Sequence, residues 1–231
     1  MLEELKERVY RANMQLKEQG LVVLTWGNAS ALSEDGEYVV IKPSGVSYAG
    51  MKSDDMVVTD RQGTVVEGHF RPSTDLLTHL EIYNAFPGVW GAVHTHSCFA
   101  VSAAQAEIDL PCYGTTHADH FFGSVPCTRD LTPEEIRDAY ERSTGLVIAE
   151  TFRERGIDPL AVPAVLVRKH GPFIWGVSPE KAVENAVALE ECAKMALYTR
   201  LFQPGTPPAD QSILDKHYYR KHGANAYYGQ K

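Results

Sequence analysis

Two histidines one residue apart, His94-Thr95-His96, close the apolar run Val89-Trp90-Gly91-Ala92-Val93. In a strand, side chains two apart share a face, so both imidazoles would converge on one point. A third histidine repeats the arrangement: Ala164-Val165-Leu166-Val167-Arg168-Lys169 reads as a strand and runs into His170-Gly171-Pro172. Three imidazoles at two strand ends would make a divalent-metal site with room left for a substrate. A bare H-x-H pair also fits two half-buried histidines bonded to backbone. The second His-terminated strand favours the metal.

Two loops are rich in small neutral donors. Lys42-Pro43-Ser44-Gly45 leaves a strand and brings a hydroxyl, backbone amides and an ammonium; Arg71-Pro72-Ser73-Thr74-Asp75 enters a helix. A helix N-terminus is a natural anion site. With Gly27-Asn28 as a third loop, these segments could cradle a phosphate, although Ser73 or Thr74 could equally be a simple helix cap. The polar stretch Gly114-Thr115-Thr116-His117-Ala118-Asp119-His120 has the make-up of a working loop, or of an ordinary polar turn. Near the C-terminus, His217 to Gln230 holds two pairs of tyrosines, which are costly to leave in water and so should dock on something, such as a neighbouring subunit.

The elements that must position these groups are legible from periodicity. Leu2, Leu5, Val9, Ala12 and Leu16 recur at helical spacing and Gly20 stops the helix. Leu21–Thr25 and Tyr38–Lys42 read as strands, with Trp26 to Ser30 as a small-residue loop between them. Met56–Thr59 and Thr64–Val66 flank Asp60-Arg61-Gln62-Gly63 as a hairpin. Helices are expected over Leu76–Ala85 and Phe99–Ala106, from the capping box Thr132-Pro133-Glu134-Glu135, from Ser178-Pro179-Glu180, and over Asp210–His222. Hairpins exclude a wholly parallel sheet. The expected fold is α/β, a three-layer αβα arrangement with a mixed central sheet in a single domain over 1–231.

Composition narrows the function classes. With 231 residues, 44% of them hydrophobic, the chain can bury a core without staples. A net charge of −8 argues against nucleic acid or an anionic membrane as partner, and it requires any phosphate site to be built from local donors. The charged N-terminus lacks the apolar segment of a signal peptide, and four cysteines show no C-x-x-C spacing, so a reduced, cytoplasmic protein is expected.

Together these residues resemble the L-ribulose-5-phosphate 4-epimerase branch of the class II aldolase superfamily. The motifs are Thr25-Trp26-Gly27-Asn28, Ile41-Lys42-Pro43-Ser44-Gly45-Val46, Pro72-Ser73-Thr74-Asp75, His94-Thr95-His96-Ser97, Gly114-Thr115-Thr116-His117-Ala118-Asp119, His170-Gly171-Pro172-Phe173, and Lys221-His222-Gly223 through Tyr227-Tyr228-Gly229-Gln230. The resemblance spans essentially the whole chain and implies a mostly antiparallel central sheet between helical layers, in a homotetramer with active sites between subunits. It implies zinc on His94, His96 and His170 with Asp75 beside it; manganese or cobalt could substitute. A sugar-phosphate substrate would be held by Gly27, Asn28, Lys42, Ser44, Gly45, Ser73 and Thr74, aided by Thr115 and His217. Proton transfer would fall to Asp119 and Tyr228 of a neighbouring subunit. The chain departs from the pattern in Thr74 (Ser elsewhere), in His120 (Tyr elsewhere), and in Lys169 directly before the third ligand. A class II sugar-phosphate aldolase is the alternative enzyme, and a non-catalytic scaffold on the same fold is the alternative outside enzymes.

Overall fold

The computed structural model describes residues 2–223 and 226–229; Ala224, Asn225 and Gln230 of the motif-bearing tail lie outside the described residues. Seven strands form one sheet: β1 (Asn28–Leu32), β2 (Tyr38–Ile41), β3 (Val57–Asp60), β4 (Val65–Glu67), β5 (Gly91–His94), β6 (Ala164–Val167) and β7 (Gly171–Gly176). Their order is β4-β3-β2-β1-β5-β7-β6, with every strand pair antiparallel. The parallel element of the expected mixed sheet is reduced to one isolated bridge, Cys127 to Leu166.

Seven α-helices and one 3₁₀ turn (Ser53–Asp55) complete the described residues: α1 (Glu3–Glu18), α2 (Leu76–Ala85), α3 (Cys98–Gln105), α4 (Thr115–Ala118), α5 (Pro133–Arg155), α6 (Pro179–Phe202) and α7 (Gln211–Lys221). The expected capping box forms at α5, where the Glu135 amide donates to Thr132 Oγ1 at 3.2 Å and Glu135 accepts from the Thr132 amide at 2.7 Å. Ser178 caps α6 through the Lys181 amide.

Alternation along β7 sorts the layers. Phe173 and Trp175 point to one face, where the Trp175 ring meets Phe86, at the C-cap of α2, and Phe152 of α5 at 4.9 and 5.2 Å. On the other face a side chain at Gly91 or Gly176 would collide with the start of α6, so both glycines let that helix lie directly on the sheet. His94 pairs in register with Phe173 and with Asn28 of β1. It therefore sits on the α2/α5 face.

One expectation fails. Leu21–Thr25 is not a strand: Leu24 adopts left-handed backbone at φ 56°, and Val23 and Leu24 are 56% and 73% exposed. The strand begins three residues later, within the supposed loop. Asn28, Ala29 and Ser30 are small because β1 is central and covered on both faces. Asn13 of α1 bonds both backbone groups of Ala29, while Ser30 meets His79 and Tyr83 of α2.

Candidate metal and sugar-phosphate site

His94, His96 and His170 present ring nitrogens that all lie within 4.8 Å of one another. His94 ends β5 and is buried, and its ring stacks on Phe173 at 4.2 Å. Its Nδ1 donates to the Pro172 carbonyl at 2.9 Å, which leaves Nε2 free to bind a cation. That atom lies 3.0 Å from His96 Nε2. His170 occupies the turn after β6, which stops at Val167 rather than Lys169, and its Nδ1 meets the Tyr140 hydroxyl at 3.3 Å. Burial holds His96 below the ordinary histidine value and pushes His170 down to about 3. Neutral imidazoles are the metal-binding form, so the donor set fits a divalent ion such as zinc. Asp75 lies next to the triad at the start of α2, with its Oδ2 accepting from Asn28 Nδ2 at 2.7 Å. Burial raises the pKa of that carboxyl, but the charges of His94 and His79 and the Asn28 bond outweigh it, leaving Asp75 below its usual range.

A cavity of about 410 Å³ contains the triad. Gly27, Asn28, Lys42, Ser44, Gly45, Ser73, Thr74 and Asp75 all line it, as expected from the sequence. Backbone bonds staple the three loops together. Ser44 N donates to Arg71 O and Ser73 N to Lys42 O, each at 2.9 Å, and the Tyr48 hydroxyl donates to Gly27 O at 2.9 Å. Gly27 is required where it stands: its φ is 75°, and a Cβ would lie 2.7 Å from Val22 Cγ1 and 2.8 Å from His94 O. Lys42 is only 2% exposed, with Nζ on the carbonyls of Val46 (2.9 Å) and Pro43 (3.3 Å) and over the Tyr48 ring. Burial pushes its pKa down to about 8.

Asp119, Thr115, His217 and Tyr228 do not line this cavity. They belong to a second cluster where α4 meets α7 and the tail. The Asp119 carboxylate accepts from Arg220 Nε at 2.9 Å and Nη2 at 2.5 Å, and from His217 Nδ1 at 3.1 Å. Burial would raise its pKa, but the Arg220 and His217 hydrogen bonds, with Lys221 nearby, offset this and hold it below the usual carboxylate range. The Tyr228 ring lies 4.9 Å from the Arg220 guanidinium carbon and 4.6 Å from Lys221 Nζ, with its hydroxyphenyl 61% exposed as a residue. Thr115 opens α4 and is exposed. His120 is partly buried, and burial together with Lys221 and Lys181 lowers its pKa.

Sequence reasoning missed Tyr140 and Glu141, which also line the cavity. They sit there because α5 breaks at Ala139, at φ −160° and ψ 56°. Beyond the break, Gly145 lets α5 press against α2, and Thr78 Oγ1 donates to the Glu141 carbonyl at 2.6 Å. No periodicity signals that break; only the contact of Tyr140 with His170 reveals its use. Also missed were Arg220, whose partner is about one hundred residues away in the chain, and His79. The latter is fully buried, with Nδ1 on Ser30 Oγ at 2.7 Å and Nε2 without a partner among the described atoms.

Comparison with known proteins agrees with this geometry. The chain is 53% identical over 230 residues, 100% of both sequences, to the L-ribulose-5-phosphate 4-epimerase UlaF of Salmonella paratyphi A, and equally to that of Salmonella typhi. Among solved structures, an L-fuculose 1-phosphate aldolase matches with TM-score 0.80 at 23% identity, over 93% of this chain and 94% of that one. The L-fuculose 1-phosphate aldolase of Glaciozyma antarctica gives 0.79 at 20% identity, over 97% and 84%. Those two likenesses establish the fold. Residues 7–197 match the family described as the Class II Aldolase and Adducin N-terminal domain, and the chain belongs to that family.

Proposed function

We infer that the chain is an L-ribulose-5-phosphate 4-epimerase, interconverting L-ribulose 5-phosphate and D-xylulose 5-phosphate. One observation carries the reading: a single cavity holds the imidazole triad together with three stapled loops of neutral donors and one buried ammonium. The activity named for the relatives that match it end to end agrees.

His94, His96 and His170 would hold one divalent ion, zinc in this reading, with Asp75 beside them and manganese or cobalt as substitutes. When bound, the ion supplies Lewis-acid stabilisation of negative charge on the sugar's oxygens. The hydroxyls of Ser44, Ser73 and Thr74, the Asn28 amide and the backbone at Gly27 and Gly45 receive the phosphate, and Lys42 supplies a positive charge behind them. This design suits a chain of net charge −8, whose overall field repels anions.

The C4 hydrogen of a 2-ketose is β to the carbonyl and not acidic. Inversion at C4 therefore proceeds by opening the C3–C4 bond, turning the aldehyde fragment over and closing the bond on its other face. A group on each face must accept or return the C4 hydroxyl proton. Asp119, kept ionised by Arg220, starts as a proton acceptor, and Tyr228 starts as a donor. Thr115 and His217 lie beside them to hold the sugar. Since this cluster is separate from the cavity within one chain, a second copy supplies it, in a homotetramer with active sites between subunits.

The test is incubation with L-ribulose 5-phosphate in D₂O, with and without chelator, followed by NMR. Chelator-sensitive formation of D-xylulose 5-phosphate without deuterium at C4 is expected. Deuterium at C4 would refute bond cleavage, and stoichiometric release of glycolaldehyde phosphate would make the chain an aldolase.

A further inference from the structure

The three imidazoles are not held equally. His94 is fixed by the Pro172 carbonyl and by stacking on Phe173, and His170 by the Tyr140 hydroxyl. His96 is the exposed member of the triad, and its ring has one hydrogen-bond contact among the described residues, His94 Nε2 itself. The Trp26 ring is 6.1 Å away. A ligand with no outer partner for its second nitrogen must be aimed by its backbone. On one side that backbone is β5. On the other it is the first turn of α3, two residues further on.

That turn has no local cap. Ser97 occupies the N-cap position, but its hydroxyl accepts from Thr95 Oγ1 at 3.2 Å and makes no bond to the turn, and the first turn contains no acidic residue. Its orphan amides are satisfied from elsewhere: Glu190 of α6 accepts from Phe99 N through Oε1 and from Ala100 N through Oε2, both at 2.9 Å. A carboxylate bridging two N-terminal amides makes two charge-assisted bonds and is also favoured by the helix dipole. Helix α6 is in turn fixed to the sheet that carries His94. Its Asn185 Nδ2 donates to the Trp175 carbonyl at 2.9 Å, and its first turn lies on Gly91 and Gly176.

We propose that Glu190 is a positioning residue for the metal centre, a strut from α6 that fixes the segment following His96 and so aims that imidazole. It touches neither metal nor substrate. The proposal rests on the metal reading of the triad but not on the identity of the sugar.

The experiment measures Zn²⁺ affinity of the purified full-length protein by competition with a chromophoric chelator, together with the visible spectrum of the Co²⁺-loaded form. Variants are Glu190→Gln, which retains one acceptor, and Glu190→Ala, which retains none. Thr132→Ala removes a cap of similar kind from α5, at a residue outside the site. Zn²⁺ binding is expected to weaken about tenfold or more in Glu190→Ala and less in Glu190→Gln, the range for groups that orient metal ligands. The Co²⁺ spectrum should shift in both, whereas Thr132→Ala should lower the melting temperature and leave affinity and spectrum unchanged. Wild-type affinity and spectrum in the Glu190 variants, at whatever melting temperature, would reduce Glu190 to a helix cap. If Glu190→Ala does not fold, Glu190→Gln decides alone on the same readouts. Normal uptake by the wild type with unaffected variants defeats the proposal only. A wild type that takes up neither ion defeats the metal site and the proposal together.

Discussion

Lys42 gives the pH test with the largest expected effect. Its ammonium is 2% exposed, faces two carbonyls and an aromatic ring, and has no carboxylate partner among its described contacts. Burial brings its pKa from 10.5 down to about 8. At about 1.4 kcal/mol per unit, that displacement corresponds to roughly 3 kcal/mol held against the charged form. For folding the sign is as follows. The folded value lies below the unfolded one, so the cost of burying the charge is complete below pH 8 and is relieved as pH rises from about 8 to about 10.5. Phosphate binding runs the opposite way, because a dianion beside Lys42 stabilises the protonated form. Below pH 8 the charge is already in place. Above it, each bound phosphate must draw a proton onto the lysine, and affinity should fall about tenfold per pH unit. The assay is the inhibition constant of inorganic phosphate from pH 6.5 to 9.5, in wild type and in Lys42→Met. Expressed per phosphate dianion, wild-type affinity should be flat and then fall above about pH 8, and the variant should bind weakly with no such break. A wild-type profile without a break between pH 7 and 9.5 refutes the reasoning, as does a variant that keeps the break.

Gly27→Ala should destabilise the fold by about 2–4 kcal/mol, combining left-handed backbone with overpacking, a loss of roughly 5–15 °C in melting temperature. Gly36→Ala is the control. It has the same φ of 75° but open space around its Cβ, and it should cost only the backbone part. His96→Asn should lose most bound metal by elemental analysis, and retention of full metal content would remove His96 from the ligand set. Tyr228→Phe should abolish most epimerisation while fold and metal content stay intact, and full turnover in that variant removes Tyr228 from the mechanism. Co-refolding His96→Asn with Tyr228→Phe should restore activity that neither variant has alone, since mixed assemblies contain intact composite sites. A mixture no more active than its components would count against sites shared between copies.

Much of the architecture was legible because its cues are local. The capping box at Thr132, the stop at Gly20 and the helix over Leu76–Ala85 depend on residues a few positions apart. The histidine pair was legible as two imidazoles one residue apart at the end of an apolar run, although β5 itself stops at His94 and His96 lies beyond the strand. Leu21–Thr25 misled because only Leu21 and Val22 are buried while Val23 and Leu24 face solvent; a central strand covered by helices on both faces instead uses Asn28, Ala29 and Ser30. The break at Ala139, the strut from Glu190 and the clamp of Arg220 on Asp119 all depend on contacts far apart in sequence. No periodicity encodes these. The donor loops lay between the two cases: their residue types were visible, but the staples from Tyr48, Arg71 and Lys42 that bring them together were not.

Strands β1, β5 and β7 lie side by side, yet Asn28, His94 and His170 come from widely separated stretches of chain. An ion gripped by the latter two would therefore act as a reversible cross-link across the middle of the sheet. Whatever free energy its binding supplies is distributed over the cooperative unit rather than over one hairpin. Depletion of the ion should thus lower the unfolding transition of the whole molecule, and a fragment that lacks either stretch should not inherit the centre.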